Sequence, residues 1–299
     1  MSWIFFAIAA PAIYAASSFI DKFLIEKRIR DYVVLTIYGG ALILLFGFII
    51  FAVRNFPTFD LSQTLLIIAA GAVATFALLP YYKAISIDDV SRVIPLFQII
   101  PIIVLIMSFL FLGETLTARE LLGFWLVLGG GFVLSVKKFS KETFELRKSF
   151  WWAMLGSLFF AISAVIFRFV VVNQNFWDTL SYEFIGAGIA ALVLPLIPLY
   201  RRRLVAETKR IAADLWGIIG FNEAFYLVGR LFGFYAIALA PVSLVSVLGG
   251  FNPFFALVYG VILSIWFPQI IKEDIQKSTI FLKILAIALI FGGVWFINL

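Results

Sequence analysis

The 299-residue sequence contains no cysteine and no histidine. Without cysteine the chain has no disulfides and no thiolate metal ligands, and without histidine it lacks the commonest metal ligand and physiological proton shuttle. These absences exclude redox and zinc chemistry, and we predict no cofactor, no metal site and no catalytic residues. A GxxxxGK[ST] phosphate loop is also missing, which argues against use of ATP by this chain alone.

Charged residues are scarce as well, at 13%, whereas 64% of the residues are apolar. Soluble domains are about half apolar, so this chain carries more apolar surface than a water-exposed fold can bury. A membrane-spanning helix needs about 20 apolar residues. The composition therefore predicts an all-α, polytopic membrane protein, in which the stretch beginning at Trp3 is a retained helix rather than a signal peptide.

Apolar runs separated by charged or Pro/Gly-rich turns predict ten transmembrane helices. We place them near 3–20, 32–53, 62–86, 90–112, 119–136, 150–172, 178–200, 212–239, 241–267 and 279–298. The turns at Asp88-Asp89 and Ala240-Pro241 are short, but each joins two runs whose combined length is too great for one crossing.

Weak internal similarity indicates a duplication. Sliding the chain by 146 residues aligns 14–22 with 160–168 and Gly40 with Gly186, and a slide of 152 gives seven identities between 82–101 and 234–253. We predict two five-helix repeats, 1–141 and 142–299. Because five is odd, the second repeat enters the membrane from the opposite side, and the halves are inverted.

The loop charges agree with inversion and predict the orientation. Loops after helices 1, 5, 7 and 9 carry sixteen Lys and Arg residues, against Arg54 and Arg119 on the other side. By the positive-inside rule those four loops are cytoplasmic in the cell membrane and both termini lie outside. The net charge of +6 is thus a topology signal rather than a sign of nucleic-acid binding. The segment 201–210 has a second interpretation, as an interfacial lipid-binding strip.

The first helix of each repeat carries an aromatic-small-small-Ser pattern that ends in Lys or Arg, at 14–22 and 160–168. Helix 4 contains PLFQIIP at 95–101 and ends in LGET at 112–115. With these motifs and its ten predicted helices, the chain resembles the EamA-type drug/metabolite transporters over essentially its whole length. The resemblance implies alternating access around a central cavity lined by helices 1, 3, 4, 6, 8 and 9.

The chain departs from that resemblance in two respects. Typical members have cytoplasmic termini, opposite to the orientation that the loop charges predict. The related small multidrug resistance proteins carry a carboxylate eight residues before the lysine of the first helix, where this chain has Tyr14 and, in the second copy, Phe160. Tyr14 remains a candidate site residue, but coupling through a carboxylate at that position is absent.

Ionisable side chains inside membrane helices cost about 2.5–3.5 kcal/mol on insertion scales and are therefore functional candidates. Helix 8 supplies the largest group, Asn222, Glu223, Tyr226 and Arg230, of which the last three share one face. The equivalent positions of helix 3 are Ala70, Gly71, Ala74 and Leu78. A polar face in one copy only favours a substrate site. The structural alternative is that Glu223 and Arg230 neutralise each other or pair with neighbouring helices.

Glu223 is also the candidate proton carrier, because a low dielectric favours the neutral form of a carboxyl group. Glu183, near the start of predicted helix 7, could serve instead or could simply reach the membrane interface.

Prolines and glycines predict helix breaks at matched positions of helices 4 and 9, and such breaks point to a binding site. The breaks are Pro95, Pro101, Gly249, Gly250 and Pro253, with Gln98 and Asn252 as polar candidates beside them. Packing kinks without ligand contact are the alternative. Lys83 and its repeat partner Tyr235 could close the cavity, although Lys83 could instead snorkel to the headgroups, as we predict for Lys22 and Arg168. Arg92, Asp88 and Asp89 are expected in a turn.

The favoured function is a secondary transporter or exporter of small polar or amphipathic metabolites. Amino-acid-like solutes are preferred because Glu223 and Arg230 offer both charge signs. The expected partners are a small-molecule substrate, the lipid bilayer and a proton or exchanged solute, with the chain acting as a monomer or in an oligomer. The alternatives are a carrier of anionic sugar derivatives or lipid-linked headgroups, using Lys83, Arg230 and Arg92, and a structural membrane subunit. An enzyme is not expected.

Overall fold

The computed structural model describes residues 2–27, 32–88, 93–136, 147–211, 215–266 and 277–298. Within these ranges the chain forms eleven helices. Ten are long, and we number them α1 Ser2–Lys27, α2 Tyr32–Val53, α3 Leu61–Ile87, α4 94–112, α5 Ala118–Ser135, α6 Lys148–Val171, α7 Phe176–Val193, α8 Leu215–Leu239, α9 Val242–Trp266 and α10 Lys277–Asn298. The eleventh, Pro198–Thr208, is termed the basic helix.

Eight of the described helices are long and apolar enough to cross a membrane, and Leu282–Asn298 of α10 is a shorter apolar helix. Helix α8 is not among the eight, since Asn222, Glu223 and Arg230 make it more polar. The all-α, polytopic membrane fold predicted from composition is therefore confirmed.

Helices α4 and α9 are not regular α-helices throughout. In α4 a 3₁₀ segment, Ile94–Ile99, precedes an α-helix, Ile100–Met107, and a π-helical end, Ser108–Leu112. In α9 a 3₁₀ segment, Gly249–Phe251, separates Val242–Leu248 from Asn252–Trp266. Proline lacks a backbone N–H and disturbs the i to i−4 ladder, which accounts for irregular geometry beside Pro95, Pro101 and Pro253.

Two predicted boundaries are wrong. Helix 1 was expected to end at residue 20, but α1 continues to Lys27 and contains Asp21, whose carboxylate accepts a hydrogen bond from Asn222. Helix 7 was expected to reach residue 200, but α7 ends at Val193, because Pro195 and Pro198 each interrupt the backbone ladder. The arginines at 201–203 consequently lie on the basic helix rather than in a loop.

Five helix pairs make the most extensive contacts: α5 with α10, α3 with α6, α2 with α7, α3 with α7, and α1 with α8. Small residues line these contacts, as in many membrane bundles where they allow close backbone approach. A Cβ on Gly40 of α2 would overlap Ala191 of α7, and a Cβ on Gly130 of α5 would lie 2.6 Å from the Ala286 carbonyl oxygen of α10. The glycines therefore set the spacing of the helices in these two pairs.

Candidate functional site

Asn222 of α8 connects α8 to α1 through two side-chain hydrogen bonds. Its Nδ2 donates to Asp21 Oδ1 at 2.7 Å, and its Oδ1 accepts from Ser17 Oγ at 2.9 Å. Asn222 is only 2% exposed, so its amide is fixed in orientation by these two partners. The predicted site residue Asn222 thus positions Asp21, a carboxylate that the sequence interpretation did not single out.

Glu223 follows on the same helix and lies close enough to Asp21 for the two carboxylates to interact electrostatically. Tyr82 of α3 and Tyr226 of α8 are also within electrostatic reach of Glu223. Among the described side chains, none of the cations lies within ion-pair distance of Asp21 or Glu223. We call Asp21, Asn222, Glu223, Tyr82 and Tyr226 the carboxylate cluster.

Arg230 lies about two turns after Glu223 on α8. It pairs with Glu183 of α7 rather than with Glu223. Its Nη2 donates to Glu183 Oε1 at 2.6 Å, and its guanidinium lies over the rings of Phe184 and Phe234 at 5.3 and 5.5 Å. Glu183 is 0% exposed, so the suggestion that it reaches the interface is wrong. The α7 helix holds this carboxylate inside the bundle because Arg230 compensates its charge.

Tyr14 of α1 lies between the two polar groups. Its ring centroid is 5.1 Å from that of Tyr226, and a Cβ on Gly229 would lie 2.7 Å from Tyr14 Cε1. The tyrosine also lies within electrostatic reach of Arg230 and Glu183. The structure therefore brings Tyr14, Asn222, Glu223, Tyr226 and Arg230 together along the α1–α8 contact.

The described contacts of Lys83 and Tyr235 do not involve the side chains of the carboxylate cluster or of Arg230. Lys83 is exposed near the end of α3, and Tyr235 packs between the rings of Phe6 and Phe176, at centroid distances of 4.8 and 5.0 Å. Asp88, expected in a turn, caps the end of α3 and accepts a hydrogen bond from Ser149. Lys22, Arg92 and Asp89 lie outside the side chains that the structure describes.

Gln98 faces α5, where its Nε2 donates to Ser135 Oγ at 3.1 Å. It also borders a cavity of about 380 Å³ between α4, α5 and α6. The other residues lining this cavity are apolar; they include Pro95, Ile102, Trp125, Phe132, Phe150 and Met154. Asn252 is half-buried at the start of the last segment of α9, and Gly250 packs against Gly131. The described contacts do not join Gln98 or Asn252 to the carboxylate cluster.

Arg168 does not snorkel to the headgroups as predicted. Its Nε donates to Glu114 Oε1 at 2.7 Å, and its Nη1 donates to the carbonyl oxygens of Ile237 and Ala238 at the end of α8. Glu114 Oε2 in turn accepts the backbone N–H of Val242, the first residue of α9. We call the ion pair of Arg168 and Glu114 the clamp. Through its hydrogen bonds it connects the end of α8 and the start of α9 to α6. The glutamate of the LGET motif was the available signal for it.

The site offers carboxylates, tyrosines and one paired arginine, but no evident metal centre. Among the described residues, no three His, Cys, Asp or Glu side chains are grouped as metal ligands. The arrangement can hold a cation or exchange a proton, since Asp21 and Glu223 are two neighbouring carboxyl groups inside the bundle and neither lies in an ion pair with a described cation.

Comparison with known proteins gives the family. A model of the EamA-like transporter family matches residues 1–136. An uncharacterized protein of Methanocaldococcus jannaschii, MJ1333.1, is 33% identical over 135 residues, which cover 44% of this chain and 96% of that protein. An uncharacterized transporter in the cobO 3' region of a Sinorhizobium species is 29% identical over 138 residues, covering 45% of this chain and 97% of that protein.

A solved crystal structure extends the likeness to the whole chain. It is 15% identical, has a TM-score of 0.67 and matches 99% of this chain and 95% of its own. At this identity the likeness concerns the fold alone. The family match, the membrane fold and the two half-length relatives agree with one another, and the chain belongs to the EamA-like transporter family, whose members are membrane transporters and not enzymes.

Proposed function

We propose that this protein is a secondary carrier in which two inverted five-helix halves, 1–141 and 142–299, alternate access to a site at the carboxylate cluster. The solute is a small molecule with a cationic group such as a protonated amine. The observation that carries the proposal is the pair Asp21 and Glu223, contributed by α1 and α8, with no described cation in ion-pair distance of either.

Equivalent contacts in the two halves support the duplication. Gly233 of α8 lies beside Ala10 of α1. In the other half, the offset of 152 relates Gly233 to Tyr81 of α3, and the offset of 146 relates Ala10 to Gly156 of α6. Tyr81 and Gly156 are also in contact. The 3₁₀ segments of α4 and α9 end at Ile99 and Phe251, which again differ by 152. Both curated relatives are almost fully matched by less than half of this chain, as expected if one repeat corresponds to a whole ancestral protein.

The electrostatics favour a cationic group in the solute. Arg230 lies in an ion pair with Glu183, so it is less able to bind a solute carboxylate than the sequence interpretation assumed. The rings of Tyr82 and Tyr226 beside two carboxylates suit an ammonium or guanidinium group, because aromatic faces attract cations. An amino-acid-like solute remains compatible through its amino group. Anionic sugar derivatives are disfavoured, since Lys83 is exposed and Arg230 is already paired with Glu183.

The same carboxylates supply a coupling site for a proton or an exchanged cation. A charged carboxyl group is costly in a low dielectric and is stabilised by either a proton or a bound cation. Glu223 can therefore exchange one for the other. Following the loop charges, we propose that the cluster opens toward the basic, cytoplasmic side, with both termini extracytoplasmic.

Uptake into proteoliposomes tests the proposal. Radiolabelled small amines, zwitterionic amino acids and anionic sugar phosphates are compared under an imposed pH gradient. We expect uptake of at least one amine, loss of at least tenfold in Glu223→Gln and Asp21→Asn, and unchanged uptake in Glu120→Gln, a carboxylate that caps α5 far from the cluster. Amine transport that survives both neutral substitutions contradicts the proposed site. Transport of anions alone contradicts the proposed solute class.

A further inference from the structure

The packing of α3 against α7 has no equally extensive counterpart in the other half. The sequence offsets relate the pair α3 and α7 to the pair α8 and α2. Whereas α3 packs along much of α7, α2 and α8 make few backbone contacts. In a carrier with inverted halves, as proposed above, one such pair is closed while the other is open.

In the α3–α7 contact the backbones of the two helices touch directly at glycines. Gly71 of α3 lies on the Glu183 carbonyl group, and a Cβ on Gly71 would come within 2.6 Å of the Ala187 nitrogen. Gly186 of α7 lies equally close to α3, since a Cβ there would be 2.7 Å from Ile68 Cα. This spacing leaves no room for a side chain at either glycine.

The equivalent positions on the open pair are different. An offset of 152 relates Gly71 to Glu223 and Ile68 to Gly220, and an offset of 146 relates Gly186 to Gly40. Among the described residues, a Cβ on Gly220 would meet no atom within 4 Å. The Glu223 carboxyl group lies against Gly39 of α2, close enough to overlap a Cβ placed there. The Glu223 side chain thus lies between α8 and α2, whereas at the equivalent place in the α3–α7 pair the two backbones are in direct contact.

Moving α8 closer to α2 would press this carboxylate into the surface formed by Gly39 and Gly40. Burying a charge without a partner is strongly unfavourable. Among the described side chains, the titratable groups within electrostatic reach of Glu223 are Asp21 of α1, Tyr82 of α3 and Tyr226 of α8, and none of these three is a cation. Closure therefore requires that something else neutralise Glu223.

We propose that Glu223 keeps the α2–α8 contact open while it is charged and unoccupied, and that a proton or the cationic group of a solute permits closure. This residue then links occupancy to the conformational change. An empty, ionised carrier does not close on the basic side, so the protein exchanges one cation for another instead of letting a solute leak down its own gradient. The proposal rests on the carrier function proposed above, but it is tested separately.

Spin-label distances between α2 and α8 provide the test. The chain has no native cysteine, so labels at Ala41→Cys and Phe221→Cys, both exposed positions, need no background substitutions. In the doubly labelled protein, Glu223→Ala and Glu223→Gly should shorten the α2–α8 distance by about 2–3 Å. This is the difference between helices separated by a side chain and helices that meet at glycines. Asp21→Asn is the matched control: it removes the neighbouring charge, leaves Glu223 between the helices, and should keep the wild-type distance.

The pH dependence separates this role from simple packing. The wild-type distance should shorten as the pH falls and Glu223 takes up a proton, whereas Glu223→Gln should be short at every pH. Wild-type spacing in both Glu223→Ala and Glu223→Gly, or an unchanged pH response in Glu223→Gln, overturns the proposal. If the distances change as expected but wild-type protein transports no tested amine, the solute assignment fails and the gating role stands.

Discussion

Removing one partner of the ion pair between Arg230 and Glu183 should destabilise the protein far more than removing both. Glu183 is fully buried, and its second carboxylate oxygen has no hydrogen-bond partner among the described atoms. Arg230→Met would leave that carboxylate without its cation, and Glu183→Leu would leave the guanidinium supported only by Phe184 and Phe234. Breaking a buried pair in this way costs about 3–5 kcal/mol, whereas replacing both members by apolar residues is close to neutral.

A double-mutant cycle measures this difference. The free energy of unfolding is determined in mixed micelles at neutral pH for the wild type, both single variants and the double variant. If the two sites were independent, the double variant would lose about 6–10 kcal/mol, the sum of the single losses. We expect it to lie within about 1–2 kcal/mol of the wild type. Additive losses, or an Arg230→Met variant as stable as the wild type, would refute the assignment of this pair as the main charge compensation inside the bundle.

Three further outcomes are expected. Gly71→Ala should lower the unfolding free energy by about 1–3 kcal/mol through overpacking against α7, whereas Gly220→Ala, with open space at its Cβ, should be neutral or stabilising by up to about 1 kcal/mol through helix propensity. Arg168→Gln should loosen the junction of α8 and α9, seen as faster amide hydrogen exchange at 237–242 than in the wild type. A cysteine at Arg202 should react with a membrane-impermeant maleimide only after cells are opened, and one at Asn55 in intact cells; the reverse pattern contradicts the proposed orientation.

The membrane helices were predictable because lipid imposes a simple rule on the sequence. Each crossing needs about 20 apolar residues with its backbone bonds satisfied internally, so hydropathy locates the helices without any tertiary information. The same rule caused the error at α1. Asp21 was taken as the end of a span because a charge usually marks one, yet Asn222 supplies a hydrogen bond from 201 positions away and keeps the carboxylate on the helix.

Partners of buried charges could not be predicted from helix periodicity. The spacing along α8 indicates correctly that Glu223, Tyr226 and Arg230 share a face, but it says nothing about which helix lies opposite. Arg230 meets Glu183 of α7, and Arg168 meets Glu114, which follows α4, because of how the helices pack. The interpretation of Arg168 as a snorkelling residue took no account of a carboxylate on another segment, and the ion pair with Glu114 outweighs that tendency.

The clamp at Arg168 and Glu114 also determines how α8 can move. It holds the last turn of α8 at Ile237, whereas Glu223 lies fourteen residues away, or about 21 Å at 1.5 Å per residue. A rigid-body rotation of α8 about this clamp by about 10° would move Glu223 by about 3.7 Å. A small rotation about the clamp is therefore enough to produce the change of about 2–3 Å in the α2–α8 distance that the spin labels would report.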